Sequence, residues 1–324
     1  MGSEPHPCVR RPKVTVQDLL DRGHDLLRLR VFSAADRLDR VVREPALHRP
    51  GLALAGFFQH FAQHRIQVIG MAEYDYLASL SNRLRADRLE QLFGRRIPAV
   101  IFARGKAPFD EVHALAERHG VPVLVTSLIT RQFQNVATVL LEDLSARRCR
   151  ICGTLLDVAG LGLLLEGPPG IGKSETALGL VKRGHALVSD DMTEVRLTGS
   201  RTLVGSAVAL TRHYMEIRGI GIIHVPSLFG AAAVADEKLL DLIVTLRRQP
   251  DADSEADRIG EARQHPGIMG IRLPQIVIPV APGRDLVNIV ETAALEWRLR
   301  QAGQVAARDL DERIKRRLTG AIGK

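Results

Sequence analysis

Leu161-Gly-Leu-Leu-Leu-Glu166 runs straight into Gly167-Pro-Pro-Gly-Ile-Gly-Lys-Ser174, fourteen residues in which an apolar run meets a glycine-rich turn. The apolar run has the composition of a buried strand, and Ser174 to Lys182 is a good helix former. Between them the pattern G-x-x-x-x-G-K-S is that of a phosphate-binding loop. Its small residues let the backbone approach phosphate, and its amides face the N-terminus of the following helix, where anions are stabilised. Gly167, Pro168, Pro169, Gly170, Ile171, Gly172, Lys173 and Ser174 are therefore the candidate nucleotide site. Lys173 is placed to reach the β- and γ-phosphates, and the Ser174 hydroxyl to hold Mg²⁺.

Moving outward, Ile151 to Val158 pairs with Leu161 to Glu166 as a hairpin turned at Gly160. Ala186-Leu-Val188, Glu194 to Leu197 and Leu203-Val204 follow as further strands. Asp190-Asp191 stands where one of these strands ends. Adjacent carboxylates beside phosphates serve metal ligation or base catalysis, and a solvated turn reads the same way. Met215-Glu-Ile-Arg-Gly-Ile-Gly221 places Glu216 and Arg218 in an apolar, glycine-rich stretch, where a buried structural ion pair is the alternative.

Gln249 to Glu261 has almost no apolar content and reads as an exposed loop, and Leu286 to Leu318 has helical spacing interrupted near Gly303. The basic segment Leu144 to Arg150 divides this half from the first. There Arg65 to Gly70, Ile97 to Phe102 and Val123 to Thr126 read as strands, and Tyr76 to Phe93 and Phe109 to His119 as helices. The expectation is an α/β protein of two domains: a small N-terminal α/β domain over 1–145, and a C-terminal P-loop domain over 146–324 with a strand-rich core and C-terminal helices.

Composition sets the outer limits. A chain of 324 residues, 45% hydrophobic, exceeds one ordinary core, and no apolar run approaches the ~18 residues of a membrane span. The opening Met-Gly-Ser-Glu-Pro-His-Pro-Cys8 lacks the apolar run of a secretory signal, and three cysteines make no disulfide framework, so reduced thiols and a cytoplasmic location are expected. The net charge of +8 suits acidic or phosphorylated partners, nucleic acid, or simply an arginine-rich genome, and charge alone does not choose among them. No aromatic-interleaved basic patch supports nucleic-acid binding.

Together the loop with Glu175-Thr-Ala-Leu178, the run Lys182-Arg-Gly-His-Ala-Leu-Val-Ser-Asp-Asp191, Met215-Glu-Ile-Arg-Gly-Ile-Gly-Ile-Ile223 and Pro282-Gly-Arg284 closely resemble HPr kinase/phosphorylase. Arg49-Pro-Gly-Leu-Ala-Leu-Ala-Gly-Phe-Phe58 and Pro122-Val-Leu-Val-Thr-Ser127 resemble its N-terminal domain, so the likeness covers roughly 15–318. The resemblance implies a PEP-carboxykinase-like P-loop kinase domain and a hexamer. It also implies ATP- and Mg²⁺-dependent phosphorylation of a serine of HPr, the phosphocarrier of the sugar phosphotransferase system, and removal of that phosphate by inorganic phosphate to give pyrophosphate. By the same resemblance Lys173 binds nucleotide phosphates, Ser174 and Glu216 serve Mg²⁺, Asp191 is the base, and Arg258 stabilises charge on the transferred group.

The chain departs from the family at defined points. Cys152, in Cys152-Gly-Thr-Leu-Leu-Asp157, stands where the family has a catalytic histidine, and a thiol is never cationic. Cys149 and Cys152 form a C-x-x-C pair without further zinc ligands nearby, and a buried inert thiol is the plain expectation. Pro168-Pro169 removes two loop amides. Gln275 and Ala281 replace family cations in the region tied to dephosphorylation, so phosphorolysis is expected to suffer more than kinase activity. A nucleotide-binding regulatory relative without chemistry and a P-loop enzyme of small molecules are the competing readings.

Overall fold

The computed structural model describes residues 8–9, 12–248, 263–264 and 267–303. It divides into two units, one of residues 10–147 and one from Arg148 onward that β1 (Cys8–Val9) joins.

The first unit is a five-stranded sheet between two helical layers. Its strands are β2 (Leu29–Ser33), β3 (Leu47–His48), β4 (Ile66–Ile69), β5 (Val100–Phe102) and β6 (Val123–Thr126), in the order β2-β6-β5-β4-β3. Only β2 is antiparallel to its neighbour. The central strands are buried on both faces, which is why they read as short continuous apolar runs. α1 (Val16–Leu27) and α6 (Thr130–Ser145) close one face through Leu19, Leu27, Phe133 and Leu141. On the other face α3 (Met71–Ser79), α4 (Asn82–Phe93) and α5 (Asp110–His119) pack Leu77, Phe93 and Leu115, and a short α2 (Gly51–Leu54) adds Leu54.

One expected helix is two. The span from Tyr76 to Phe93 breaks at Leu80, which is extended at ψ 152°, and Ser81 restarts it by accepting from the Leu84 amide at 3.4 Å. A serine hydroxyl satisfies a helix-start amide better than it fits a helix interior, so the chain takes the cap.

The second unit has three layers. Its middle is a six-stranded sheet of order β10-β8-β9-β16-β18-β17, formed by β8 (Thr154–Val158), β9 (Leu161–Glu166), β10 (Ala186–Ser189), β16 (Leu242–Arg248), β17 (Arg263–Gln264) and β18 (Pro274–Val280). β9, β16 and β18 are parallel, so Glu166, Arg248 and Val280 end at one edge of the sheet. Alternation along β9 sends Leu163 and Leu165 to one face and Leu164 to the other. The first face is covered by α7 (Lys173–Lys182) and α9 (Leu286–Gln301) through Leu180, Val181, Val290 and Ala294. These two helices meet at Gly179, where an added Cβ would lie 2.4 Å from Val287.

The opposite face packs on a five-stranded sheet of order β1-β7-β11-β12-β15, which adds β7 (Arg147–Cys152), β11 (Met192–Leu197), β12 (Leu203–Ala207) and β15 (Glu237–Leu239). A hairpin of β13 (Tyr214–Ile217) and β14 (Gly221–His224), then α8 (Val225–Phe229), complete the unit.

The strand expected over Ile151 to Val158 is corrected by this arrangement. β7 ends at Cys152 in one sheet and β8 begins at Thr154 in the other. Gly153 makes the corner, where a Cβ would stand 3.1 Å from both the Leu164 side chain and the Leu165 carbonyl oxygen. The chain crosses back at Asp190-Asp191, between β10 and β11. Described residues bear out helix from Leu286 to Gln301; the expected continuation past Gly303 and the expected loop Gln249 to Glu261 lie outside the described residues.

Candidate active site

The loop 167–172 joins β9 to α7, and glycine is required where it turns: Gly170 has φ 73° and Gly172 has φ 106°. Lys173 opens the helix, and its Nζ donates to the carbonyl oxygens of Gly167 (3.0 Å) and Pro168 (3.4 Å). The ammonium thus lies folded over the loop that an anion would enter. Pro168 and Pro169 carry no N–H, so the donors of the cradle come from the residues after them.

The two sheet crossovers lie side by side and are stitched together. The Gly153 amide donates to the Asp191 carbonyl oxygen at 2.9 Å, and Thr193 Oγ1 donates to the Gly153 carbonyl oxygen at 2.8 Å. Asp191 adopts φ 57°, a left-handed conformation that aspartate tolerates better than most residues. This turn gives the adjacent carboxylates opposite environments. Asp191 is exposed, whereas Asp190 is buried, 9% exposed.

Asp190 accepts from Thr154 Oγ1 at 2.8 Å, from Ser174 Oγ at 3.2 and 3.3 Å, and from the Glu216 amide at 3.3 Å. Burial pushes its carboxyl above the usual carboxylate range, and the neighbouring Asp191 adds to the rise. The bonds from Thr154, Glu216 and Ser174 oppose it. The loop serine is therefore tied to the first carboxylate of the Asp190-Asp191 pair, to which the family resemblance gives no role. A Thr154-x-Leu156 strand beside an Asp-Asp pair was the available signal, and it becomes meaningful only once β8 and β10 are neighbours.

One open cleft of about 650 Å³ gathers Lys173, Ser174, Asp191, Glu216 and Cys152 with the loop residues Gly167, Pro169, Gly170 and Gly172. Pro168 is exposed beside it and Ile171 turns inward to the core. Arg218 also lines the cleft, with Nη2 3.8 Å from where a Cβ on Gly170 would be. One alternative falls and one expectation is corrected here. Glu216 and Arg218 form no buried ion pair, because β13 buries Met215 and Ile217 and leaves Glu216 between them, and Arg218 just after the strand, exposed. Of the C-x-x-C pair only Cys149 is buried; Cys152 is exposed at the cleft, because the sheet corner turns it out. Gln275 donates to Thr245 Oγ1 at 2.8 Å and neither it nor Ala281 lines the cleft, although β18 ends at the same sheet edge as the loop. Arg258 lies outside the described residues.

The donor set suits a hard cation shared with phosphate. Ser174, Asp190, Asp191 and Glu216 offer only oxygen, and no cluster of three His, Cys, Asp or Glu forms a closed metal cage among the described residues. Mg²⁺ is commonly held this way, by one or two protein groups with phosphate and water supplying the rest.

Comparison with known proteins gives consistent matches along the chain. The family model described as HPr Serine kinase C-terminal domain matches residues 143–314, and that described as HPr Serine kinase N terminus matches 14–141. HPr kinase/phosphorylase of Caldicellulosiruptor bescii is 43% identical over 286 residues, 88% of this chain and 91% of that relative. The Leptospira biflexa protein of the same name is 38% identical over 94% of each chain. Among solved structures, the Hpr(Ser) kinase/phosphatase from Coxiella burnetii is 35% identical with a TM-score of 0.45, covering 48% of this chain and 93% of that one. Among the described residues no helix is long and apolar enough to cross a membrane.

Proposed function

This chain belongs to the HPr kinase/phosphorylase family, and from that premise we propose that it transfers the γ-phosphoryl group of ATP to a serine of HPr and reverses the transfer with inorganic phosphate. The observation that carries the reading is the convergence, in one cleft, of the loop lysine, a hydroxyl anchored on a buried carboxylate, and an exposed carboxylate one residue away. Phosphoryl transfer asks mainly for positioning and charge neutralisation, and this cleft is built for both.

In the forward direction Asp191 takes the proton of the serine hydroxyl as its oxygen bonds to the γ-phosphorus and the bond to ADP breaks. Lys173 leaves its contacts with the Gly167 and Pro168 carbonyls to neutralise the β- and γ-phosphates. Ser174 and Glu216 would hold Mg²⁺, which when bound offsets phosphate charge. Asp190 fixes the Ser174 hydroxyl and the Glu216 backbone. In reverse, an oxygen of inorganic phosphate bonds to the phosphoserine phosphorus as the bond from that phosphorus to the serine oxygen breaks, protonated Asp191 gives its proton to that oxygen, and the products are serine and pyrophosphate. Arg258 stabilises the transferred group by the sequence resemblance alone.

Cys152 occupies the cleft without a positive charge, and Gln275 and Ala281 remove two more near the same sheet edge. Phosphorolysis, which must gather a phosphoserine and a phosphate, is the weaker activity in this reading. In this reading the enzyme works in the cytoplasm, where its ATP is, and as a homo-oligomer, the hexamer being testable by light scattering.

The test is transfer of labelled γ-phosphate from ATP·Mg²⁺ to purified HPr, beside Asp191→Ala and Cys152→His. Label that disappears with Asp191→Ala supports the kinase. ATP binding without label in the parent, and label in Cys152→His, favours instead a regulatory relative whose chemistry was lost at one position.

A further inference from the structure

The C-x-x-C pair of the sequence does not close on itself in this fold. Cys149 and Cys152 both lie in β7. An extended strand rises about 3.3 Å per residue, so their Cα atoms stand about 10 Å apart. A disulfide requires roughly 7 Å or less. The two also face opposite ways. Cys149 is fully buried between the two sheets with Ile151, Leu155 and Leu164, whereas Cys152 is exposed at the cleft.

Strand pairing gives Cys149 a different neighbour. β1 is the edge strand of the five-stranded sheet and runs antiparallel to β7, with Cys8 directly opposite Cys149 and Val9 opposite Arg148. Residues that face each other in an antiparallel pair share one face of the sheet, and their Cα atoms are about 4.5–5.5 Å apart. That lies inside the roughly 4.4–6.8 Å that a disulfide spans. The chain between the two cysteines contains the whole N-terminal unit, residues 10–147. Two thiols remote in sequence are therefore brought into the register a cross-strand disulfide needs, at the point where the chain leaves the C-terminal unit and returns to it.

We propose that Cys8 and Cys149 form a reversible disulfide, installed by hydrogen peroxide and removed by a dithiol reductant, that fastens β1 to the edge of the C-terminal unit. The Cys8 sulfur, on the edge strand, attacks one peroxide oxygen as the O–O bond breaks. A sulfenic acid is left on Cys8, and the departing hydroxide takes the thiol proton to become water. The Cys149 sulfur then bonds to the Cys8 sulfur as the S–O bond breaks, and that oxygen leaves with the Cys149 proton as a second water. The two sulfurs have supplied the two electrons that reduce the peroxide. Burial of Cys149 does not impede this second step, because no peroxide has to reach it. Thiols prevail in a reducing compartment, so the bond forms on exposure to oxidant and is undone by thiol exchange. The disulfide stands or falls separately from the kinase reading.

The experiment oxidises three full-length proteins, the parent, Cys152→Ser and Cys8→Ser, with hydrogen peroxide under native conditions. Each is then unfolded in iodoacetamide, digested with trypsin without reductant and read by mass spectrometry. Trypsin cuts after Arg148 and Arg150, so Cys149 leaves on a dipeptide separate from Cys152. The expected product joins Cys149-Arg150 to the peptide that ends at Arg10, in the parent and in Cys152→Ser alike. It should vanish on treatment with dithiothreitol and be absent from Cys8→Ser. Oxidising the parent in concentrated urea supplies the contrast. There the C-x-x-C pair closes by far the shorter loop, so the ratio of the Cys8–Cys149 link to the Cys149–Cys152 link should fall roughly tenfold or more. A folded parent that gives chiefly the Cys149–Cys152 link would overturn the proposal. So would oxidation confined to Cys152, with Cys8 and Cys149 both recovered alkylated.

Discussion

Replacing Thr154 by valine tests whether Asp190 is held in the way the site requires. Thr154 is fully buried and donates to Asp190 Oδ1 at 2.8 Å, so valine preserves shape and removes one hydrogen bond to a carboxylate. Such a bond contributes about 1.5–3 kcal/mol, since the acceptor left behind is buried and charged. That is roughly 10- to 100-fold in the unfolding equilibrium, or about 3–12 °C in the Tm of a unit this size. Thr154→Ser keeps the hydroxyl and should lose only about 1 kcal/mol, for the missing methyl. Urea and thermal unfolding of both variants in EDTA measure this difference. With metal present, a less firmly held Asp190 frees the Ser174 hydroxyl, so the apparent KM for Mg²⁺ should rise while kcat changes less. A valine variant as stable as the serine variant, with an unchanged requirement for magnesium, would refute the assignment of Asp190 as the anchor.

Other expectations follow from the same geometry. Lys173→Ala should abolish ATP·Mg²⁺ binding in a fluorescence titration, because no other ammonium lines the cleft. Gln275→Lys with Ala281→Arg should raise phosphorolysis of phosphoseryl-HPr relative to kinase activity, and equal rates of the two reactions in the parent would contradict the weakened-phosphorolysis reading. Glu291 accepts from His185 (2.9 Å) and from Arg183, and these bonds hold its carboxyl below the ordinary 4.5. A depressed carboxylate stabilises the fold above its unfolded value and loses that contribution as pH falls through the folded one. Glu291→Gln should therefore unfold more easily than the parent at pH 7, and the two Tm values should converge in acid; a gap that widens on acidification would contradict the sign.

What was legible in the sequence is what local chemistry determines. The phosphate loop is contiguous, and its strand, glycines and helix announce themselves within fourteen residues. The capping box of α1 is equally local, with Thr15 Oγ1 accepting from the Asp18 amide and Asp18 accepting from the Thr15 amide, and the helix it opens buries Val16, Leu19, Gly23 and Leu27 on one face; that signal was legible, although the expectations drawn from the sequence include no helix there. The divided roles of Asp190 and Asp191 were not legible, because burial of one and exposure of the other depend on β8 and β10 pairing, Leu187 with Leu156 and Ser189 with Leu155, between segments distant in the chain. The exposure of Cys152 was hidden for a related reason. A glycine inside an apolar run marks a bulge, a bend or a close approach, and only the two sheets show that Gly153 is a corner between them.

The paired crossovers at Gly153 and at Asp190-Asp191 also bear on how the enzyme would regain activity from the unfolded state. The phosphate loop and α7 join and cover the six-stranded sheet, and that sheet supplies the frame of the nucleotide cradle once β9 and β16 have paired. Asp191 and Cys152 take their places only after the five-stranded sheet has docked on the opposite face. Recovery of ATP binding during refolding should therefore run ahead of recovery of phosphoryl transfer, and the interval between them would time the closing of one sheet on the other.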